Sequence, residues 1–163
     1  MAILILTGPP GVGKNAIAAA YAQQQARCAV IDVDLVRWMI LQPHKAPWEG
    51  EEGRRQRHLG VRNACGLARS FREHGFPAVI HDMLSAETAR RYREELRMHG
   101  PQIIVLLPTF EEIVRRNRLR PPRLTAEQIR ALYRSQELFA DYDNRIDNTT
   151  LAPDEVAARL ARM

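Results

Sequence analysis

The sequence predicts an α/β protein with a parallel sheet, because short apolar runs alternate with helical segments along the chain. Two further observations support this class. The apolar runs have the length and composition of strands that are buried on both faces, and several of them end in carboxylates. We find no internal repeat, low-complexity segment or linker, so residues 1–163 are predicted to form a single domain.

The first strand leads into a glycine-rich loop. After an apolar run, residues 8–14 read Gly-Pro-Pro-Gly-Val-Gly-Lys, and an alanine-rich helical segment follows. Strand, turn and helix form the context in which G-x-x-x-x-G-K-[ST] indicates a phosphate-binding P-loop. Backbone N–H groups of such a loop surround an anion, and the helix directs its positive end towards it. The sequence therefore predicts a nucleoside triphosphate site, with Lys14 reaching the outer phosphates.

The loop differs from the motif at one position, where Asn15 replaces the Ser or Thr that normally holds Mg²⁺. An amide oxygen can ligate Mg²⁺, although it is bulkier than a hydroxyl and neutral. We assign Asn15 to the metal site on this basis. The predicted nucleotide contacts of the loop are Gly8, Gly11, Val12, Gly13, Lys14 and Asn15.

The remaining elements alternate as the fold class requires. Further strands are predicted at residues 28–34, 76–82, 103–107 and 145–147. Helices are predicted at residues 53–74, 85–98, 109–120 and 125–139, and a closing helix from about Pro153. The long helix at 53–74 is predicted to bury a face that consists of Leu59, Ala64, Leu67, Ala68 and Phe71.

Carboxylates follow two of these strands. Asp32 and Asp34 end the second strand, and Asp82 ends the third. Ligands of open α/β sheets bind at the carboxyl ends of the strands, so these side chains are predicted to hold a metal through water or to take a proton. We interpret His81, beside Asp82, as a packing residue at the strand end rather than as a catalyst.

An irregular segment follows the second strand. Residues 42–48 contain two prolines, a histidine and Trp48, and they interrupt the helical pattern that starts at residue 35. A long break beside a ligand-binding strand edge indicates a substrate-covering region, which we place at residues 35–62. The alternative interpretation is a surface excursion without a ligand.

The net charge of +5 and the pI of 9.8 favour anionic partners. A bound nucleotide already accounts for a basic cleft, so a nucleic-acid partner is compatible with the charge but not required by it. No apolar stretch is long enough for a membrane span, which predicts a protein without a membrane partner. The two cysteines form no disulfide framework, which predicts a cytoplasmic location.

Taken in order, these motifs resemble those of the small P-loop kinases that include shikimate kinase, chloramphenicol phosphotransferase and the nucleoside monophosphate kinases. The likeness runs nearly end to end. Its signs are the P-loop, Asp32-x-Asp34, Asp82, Arg116 and Arg120 in the lid position, and Pro153. The resemblance implies a three-layer P-loop NTPase fold, with a five-stranded parallel sheet in the order 2-3-1-4-5. It also implies a mobile lid, at about residues 116–126.

The resemblance also implies roles for individual residues. Asp34 would be the general base, or would orient a substrate hydroxyl. Asp32 would hold Mg²⁺ through water, with Asp82 as an alternative. Arg116 would lie against adenine, with the turn before Pro153 on its other side, and Arg120 would reach the phosphates as a catalytic residue alongside Lys14.

The substrate residues are implied more weakly. Residues 50–55 are similar to the G-E-x-x-F-R stretch of shikimate kinases, whose arginine meets the substrate carboxylate and corresponds to Arg55 here. The triple glycine of those enzymes is absent at residues 78–82, which argues against shikimate. Asp34, Trp48 and Arg55 are the predicted substrate contacts.

The resulting hypothesis is an ATP-dependent phosphotransferase that moves the γ-phosphoryl group to a hydroxyl of a small molecule, such as a metabolite, a nucleoside or an antibiotic. ATP and Mg²⁺ are the expected cofactors, and a monomer or a homodimer is expected. Two alternatives stay open. A polynucleotide 5′-hydroxyl kinase would suit the basic charge and Trp48, and a nucleotide-binding module without transfer would suit Asn15.

Overall fold

A computed structural model describes residues 3–119, 121 and 124–163, and it contains one five-stranded parallel sheet within those ranges. The strands are β1 (Leu4–Thr7), β2 (Ala29–Asp32), β3 (Ala78–His81), β4 (Gln102–Leu106) and β5 (Asn144–Ile146). Their order across the sheet is β2-β3-β1-β4-β5, which confirms the predicted topology. Strand β1 is central, so the glycine-rich loop that follows it lies in the middle of the carboxyl edge.

Helices cover both faces of the sheet. They are α1 (Lys14–Gln23), α2 (Val33–Trp38), α3 (Gly50–Glu73), α4 (Ala86–Glu95), α5 (Phe110–Arg118), α6 (Ala126–Glu137) and α7 (Pro153–Leu160), with one 3₁₀ turn at Arg97–His99. None of the helices in the described ranges combines the length and the apolar character that crossing a bilayer requires.

Alternate residues of each strand pack into two separate cores, as the two-residue period of a strand requires. On one face, Ile5, Ile80 and Ile103 pack against α3 and α4. On the other face, Leu6 and Val79 pack against α1 and α7. The three layers that the resemblance implies are therefore confirmed.

The burial pattern of α3 corrects one sequence prediction. Leu59, Leu67 and Phe71 are 43%, 39% and 40% exposed, so the predicted apolar face was wrong for these three side chains. It was right for Ala64 and Ala68, which are buried. The buried face lies further round the helix and consists mostly of small residues: Gly53, Gln56, Gly60, Val61, Ala64, Cys65 and Ala68. Small side chains allow close approach, and at Gly60 an added Cβ would press on the Arg37 side chain of α2.

The start of α2 is a second correction. The second strand ends at Asp32, because one oxygen of its carboxylate accepts hydrogen bonds from the backbone N–H groups of Asp34 and Leu35. An N-cap of this kind begins a helix directly after the strand. Asp34 therefore lies in the first turn of α2 and not at the end of a strand.

Candidate functional site

The glycine-rich loop has the backbone that a phosphate cradle needs. Gly8 and Gly13 have φ angles of +149° and +96°, which side-chain-bearing residues rarely adopt. A Cβ at Gly8 would also collide with the backbone carbonyl oxygen of Leu106, at the end of the neighbouring strand β4. The glycines of the motif are thus required by the geometry, and the loop leads directly into the N-terminus of α1.

Lys14 begins α1, and its ammonium group lies over the loop. Its Nζ donates hydrogen bonds to the carbonyl oxygens of Gly8, at 2.8 Å, and Pro9, at 3.3 Å. The positive charge therefore sits at the loop, which is where a P-loop lysine meets the outer phosphates of a nucleotide.

Asn15 and Asp32 are joined at the carboxyl edge of the sheet. The Asn15 Nδ2 donates to the Asp32 Oδ2 over 3.0 Å, while the other Asp32 oxygen caps α2. The amide and carboxylate oxygens of this pair are donors that suit Mg²⁺. No group of three or more His, Cys, Asp or Glu side chains in the described ranges could hold a metal ion by itself. An ion bound here would depend on phosphate and water oxygens as well.

His81 lies beside this pair. Its side chain is 5% exposed, and its Nε2 lies 3.9 Å from the Asp32 Oδ2. Burial lowers the pKa of His81, and the charge of Lys14 acts in the same direction, whereas Asp32 and Asp34 oppose the shift. The neutral imidazole is therefore favoured.

Asp82 lies on the opposite side of the sheet from α1. Its two carboxylate oxygens accept hydrogen bonds from the Met83 backbone N–H, at 2.7 Å, and from the Tyr92 hydroxyl, at 3.1 Å. Burial raises the pKa of Asp82, and the positive charge of Arg57 is the main opposing effect. The structure thus groups Asn15 with Asp32 and His81 instead of Asp82, whose metal role stays a prediction.

Asp34 projects from the first turn of α2. Its carboxylate is 76% exposed and accepts a hydrogen bond of 3.1 Å from the Arg37 guanidinium. Its negative charge contributes to the pKa shifts of both His81 and Asp82, so it lies near the carboxyl ends of β2 and β3. That location agrees with the predicted role, which stays a prediction.

The predicted substrate residues Arg55 and Trp48 are not brought to this edge by any contact within the described ranges. Arg55 lines a groove of about 820 Å³ together with Pro43, Arg62 and Arg91, which are supplied by the α2–α3 connection, α3 and α4. Trp48 is 83% exposed just before α3. Their contacts with a substrate stay predictions.

Arg57 is a candidate that the sequence analysis missed. Its Nη2 donates to the Met83 carbonyl over 3.2 Å, and its charge acts on Asp82, so it reaches the carboxyl end of β3. A signal for it exists in the sequence, since Arg57 lies four residues after Gly53 and three before Gly60, on the small-residue face of α3.

Arg116 connects the glycine-rich loop to the segment before α7 through hydrogen bonds. Its guanidinium donates to the carbonyl oxygens of Val12, at 3.2 Å, and Asn148, at 3.0 Å. The Asn148 side-chain amide donates to the same Val12 carbonyl, at 2.9 Å. Glu112 accepts from Arg116 at 2.6 Å, and hydrogen bonds from Arg115 and Arg116 lower the pKa of Glu112 to about 2.

This arrangement places Arg116 and the turn that leads to Pro153, the first residue of α7, on the same side of the loop. The contact of either residue with adenine stays a prediction. Arg120 lies outside the described residues, as does part of the predicted lid at 116–126. Within that lid, α5 ends at Arg118 and α6 begins at Ala126.

Comparison with solved structures supports the fold. No protein-family model matches the sequence, and no curated protein matches it. Solved structures do match: a shikimate kinase from Acinetobacter baumannii in complex with shikimate is 19% identical, with a TM-score of 0.70 over 99% of this chain and 92% of that chain. A tunicamycin resistance protein from Deinococcus radiodurans is 18% identical, with a TM-score of 0.73 over 99% and 95% of the two chains.

A gluconokinase from Sinorhizobium meliloti 1021 is 16% identical to this chain, with a TM-score of 0.67 over 99% of this chain and 92% of that chain. Identities this low establish the fold only. The fold is that of the small P-loop kinases, which confirms the structural part of the resemblance.

Proposed function

We propose that this protein is an ATP-dependent kinase that transfers the γ-phosphoryl group to a hydroxyl of a small molecule. The observation that carries the proposal is the convergence of Lys14 in the glycine-rich loop, the Asn15–Asp32 pair and Asp34 at one sheet edge. Phosphoryl transfer needs a phosphate clamp, a metal site and a group that positions the nucleophile. Each requirement has a candidate at this edge.

The nucleotide is bound by the loop and the N-terminus of α1. The backbone N–H groups surround the phosphates, and the ammonium group of Lys14 exchanges the carbonyl oxygens of Gly8 and Pro9 for phosphate oxygens. Asn15 and Asp32 hold Mg²⁺, which neutralises charge on the phosphates when it is bound. Arg116 and the turn before Pro153 lie on the two sides of adenine, and Arg120 contacts the phosphates.

The acceptor is bound beside Asp34. The Asp34 carboxylate orients the attacking hydroxyl and accepts its proton, and its exposure leaves it accessible to a substrate. Arg57 supplies a positive charge at the adjacent end of β3, which suits an acceptor that also carries a polar or anionic group. Residues 35–62 cover this acceptor, residues 116–126 form the lid, and residues 1–163 act as one domain.

The proposal is supported by the activities of the matched structures, which include a shikimate kinase and a gluconokinase. Both names describe transfer to small hydroxylated molecules. A cytoplasmic monomer or homodimer is part of the same proposal.

A substrate screen tests this function. Hydroxylated metabolites, nucleosides and antibiotics are incubated with ATP, Mg²⁺ and the protein, and ADP release above the acceptor-free rate is measured. With the acceptor that responds, Asp34→Asn is expected to lower kcat by about 10²–10⁴-fold, because it removes the proton acceptor. ATP affinity is expected to stay unchanged.

The matched control is Asp154→Asn, in the first turn of α7, which also removes a carboxylate near the start of a helix. It should retain full activity. An Asp34→Asn variant as active as the wild type would contradict the assigned role. Absence of both nucleotide binding and ADP release would contradict the function as a whole.

A polynucleotide acceptor is the second candidate, and the groove beside Arg55, Arg62 and Arg91 is the observation that favours it. Glu52 and Glu95 line the same groove and reduce its positive charge. Binding of a 5′-hydroxyl oligonucleotide should then weaken steeply between 50 and 200 mM salt, roughly in proportion to the phosphates contacted. Binding that does not depend on salt would leave only small acceptors.

A further inference from the structure

Three polar side chains from three different elements meet beneath the glycine-rich loop. Asn15 comes from α1, Asp32 from the end of β2 and His81 from the end of β3. The Asn15 Nδ2 and the His81 Nε2 lie 3.0 and 3.9 Å from the same Asp32 Oδ2. One carboxylate oxygen is therefore shared by an amide and an imidazole at the place where the nucleotide metal is expected.

The His81 ring is open to a bound ion. The residue is 4% exposed, and its ring makes no hydrogen bond to any residue in the described ranges, since 3.9 Å exceeds a hydrogen-bond length. Neither ring nitrogen is fully buried without a partner, so water or an ion can reach it. A valine or isoleucine would fill this strand position without presenting a nitrogen, as Val79 does two residues earlier on the same face. The imidazole therefore presents a nitrogen that a bound ion can contact.

The distances suit an ion between these side chains. Two ligands about 2.1 Å from a metal ion are about 3 Å apart when adjacent and about 4 Å apart when nearly opposite. The separations of 3.0 and 3.9 Å from the Asp32 Oδ2 fall within that range. Rotation of the Asn15 amide by half a turn places its oxygen where its nitrogen now lies, and amide oxygen and nitrogen positions are interchangeable in this way.

We propose that His81 is a ligand of the nucleotide-bound metal, together with Asn15 and Asp32, and that it makes the site prefer Mn²⁺ or Co²⁺ to Mg²⁺. The inference rests on the proposed nucleotide site. Imidazole nitrogen suits transition metals, whereas Mg²⁺ prefers an all-oxygen shell. Asn15, which replaces the usual Ser or Thr of the loop, and His81 would then change the donor set of the same metal ion.

The ion needs the nucleotide to complete its shell. The described residues hold no cluster of three or more His, Cys, Asp or Glu side chains for a metal, so phosphate and water oxygens must supply the remaining ligands. Mn²⁺ is therefore expected to bind tightly only when ADP is also bound.

Pulsed electron paramagnetic resonance of Mn²⁺ with ADP tests the ligand directly. The wild-type protein should show nitrogen modulation from a coordinated imidazole. Labelling the histidines of the protein with ¹⁵N should change the frequency of this modulation. The change distinguishes a histidine nitrogen from an adenine nitrogen, which stays unlabelled. The modulation should disappear in His81→Gln and persist in His58→Gln, a control on α3 whose ring contacts Glu87 at 2.9 Å.

A competition titration measures the preference. His81→Gln is expected to lower the affinity of the ADP complex for Mn²⁺ by about 10–100-fold, with a smaller change for Mg²⁺. Absence of ¹⁵N-sensitive modulation in wild-type protein that binds ADP and Mn²⁺ would overturn the inference and leave the proposed function intact. Failure to bind ADP at all would overturn both. If His81→Gln does not fold, the spectrum of the labelled wild-type protein alone shows whether a histidine nitrogen coordinates the metal.

Discussion

The two halves of the proposed site are organised differently. In the nucleotide half, the Val12 carbonyl receives hydrogen bonds from Arg116 and Asn148, and Lys14 binds the loop itself. In the acceptor half, which comprises residues 33–57, five large apolar side chains are at least 60% exposed: Leu35, Trp38, Met39, Leu41 and Trp48. Hydrogen bonds within the chain stabilise the nucleotide half, whereas the acceptor half presents exposed apolar surface. Such surface is typical of a site that binds a ligand.

The difference follows from what each half has to recognise. Phosphate is bound by backbone N–H groups, so its site depends on a particular loop conformation. That conformation requires particular residues, which form a recognisable motif in the sequence. An acceptor is bound by side chains on a segment without regular structure, residues 39–49, which can vary while the sheet stays the same. The following predictions test this contrast.

The largest effect is expected in the nucleotide half, for Lys14→Ala. Loss of the ammonium group removes the charge that stabilises the transferring phosphoryl group, and kcat is expected to fall by about 10³-fold. Substrate-stimulated ADP release measures it. The far-UV circular dichroism spectrum serves as the folding control, because the Lys14 ammonium group also donates to the loop carbonyls of Gly8 and Pro9. Full activity in this variant would refute the kinase proposal.

A smaller loss is expected when the support of the loop is removed. Arg116→Ala eliminates the guanidinium hydrogen bonds to the carbonyls of Val12 and Asn148. At about 1 kcal/mol for each bond, the dissociation constant for ATP should rise by about 10–100-fold. Titration with a fluorescent ATP analogue measures this change.

Arg115→Ala is the matched control, because Arg115 is the adjacent residue of α5 and bonds only to Glu112 among the described residues. Its side chain is 63% exposed. ATP binding should be unaffected. Equal losses in both variants would mean that α5 acts through its overall charge rather than through the loop contacts.

The contrast also explains what the sequence could predict. The α/β class and the loop followed from alternating apolar runs and a glycine motif, both of which are local patterns. The sheet order followed from the resemblance to the small P-loop kinases, and the structure confirms it. The grouping of Asn15, Asp32 and His81 could not be predicted, because it depends on which face of β3 each residue occupies. Strand β3 ends at His81, and Asp82 follows it. The sequence analysis named Asp82 as an alternative metal residue beside Asp32 and interpreted His81 as a packing residue, whereas the register places the histidine beside Asp32.

The acceptor half was harder to predict, for a related reason. Similarity to a known motif favoured Arg55, but a helix turns by 100° per residue. Two residues further on, Arg57 lies on the opposite side of α3 and reaches Met83. The side that faces the sheet is set by the small residues of α3, such as Gly60 and Ala64, whose packing against α2 and the sheet becomes clear only in three dimensions.

A pair of arginine variants tests whether Arg57 or Arg55 contacts the acceptor. Arg57→Gln is expected to raise the KM for the acceptor by about 10-fold, because it removes one charge-assisted hydrogen bond. Arg55→Gln, in the outer groove, should leave this KM unchanged for a small acceptor. Steady-state kinetics at saturating ATP measures both. The reverse result would place the acceptor in the Arg55 groove, as the sequence analysis predicts.

The last effect is on stability and concerns the backbone beneath the exposed surface of the acceptor half. A Cβ at Gly53 would collide with the carbonyl oxygen of Ala46, so the start of α3 packs directly on the irregular segment. Gly53→Ala is expected to lower the free energy of unfolding by about 1–3 kcal/mol. Gly66→Ala, in the same helix with no atom within 4 Å of the added Cβ, should raise it by about 0.5–1 kcal/mol. Urea denaturation measures both. Stabilisation by both substitutions would mean that α3 does not fix residues 39–49. The two halves would then differ in how firmly their backbones are held as well as in their side-chain contacts.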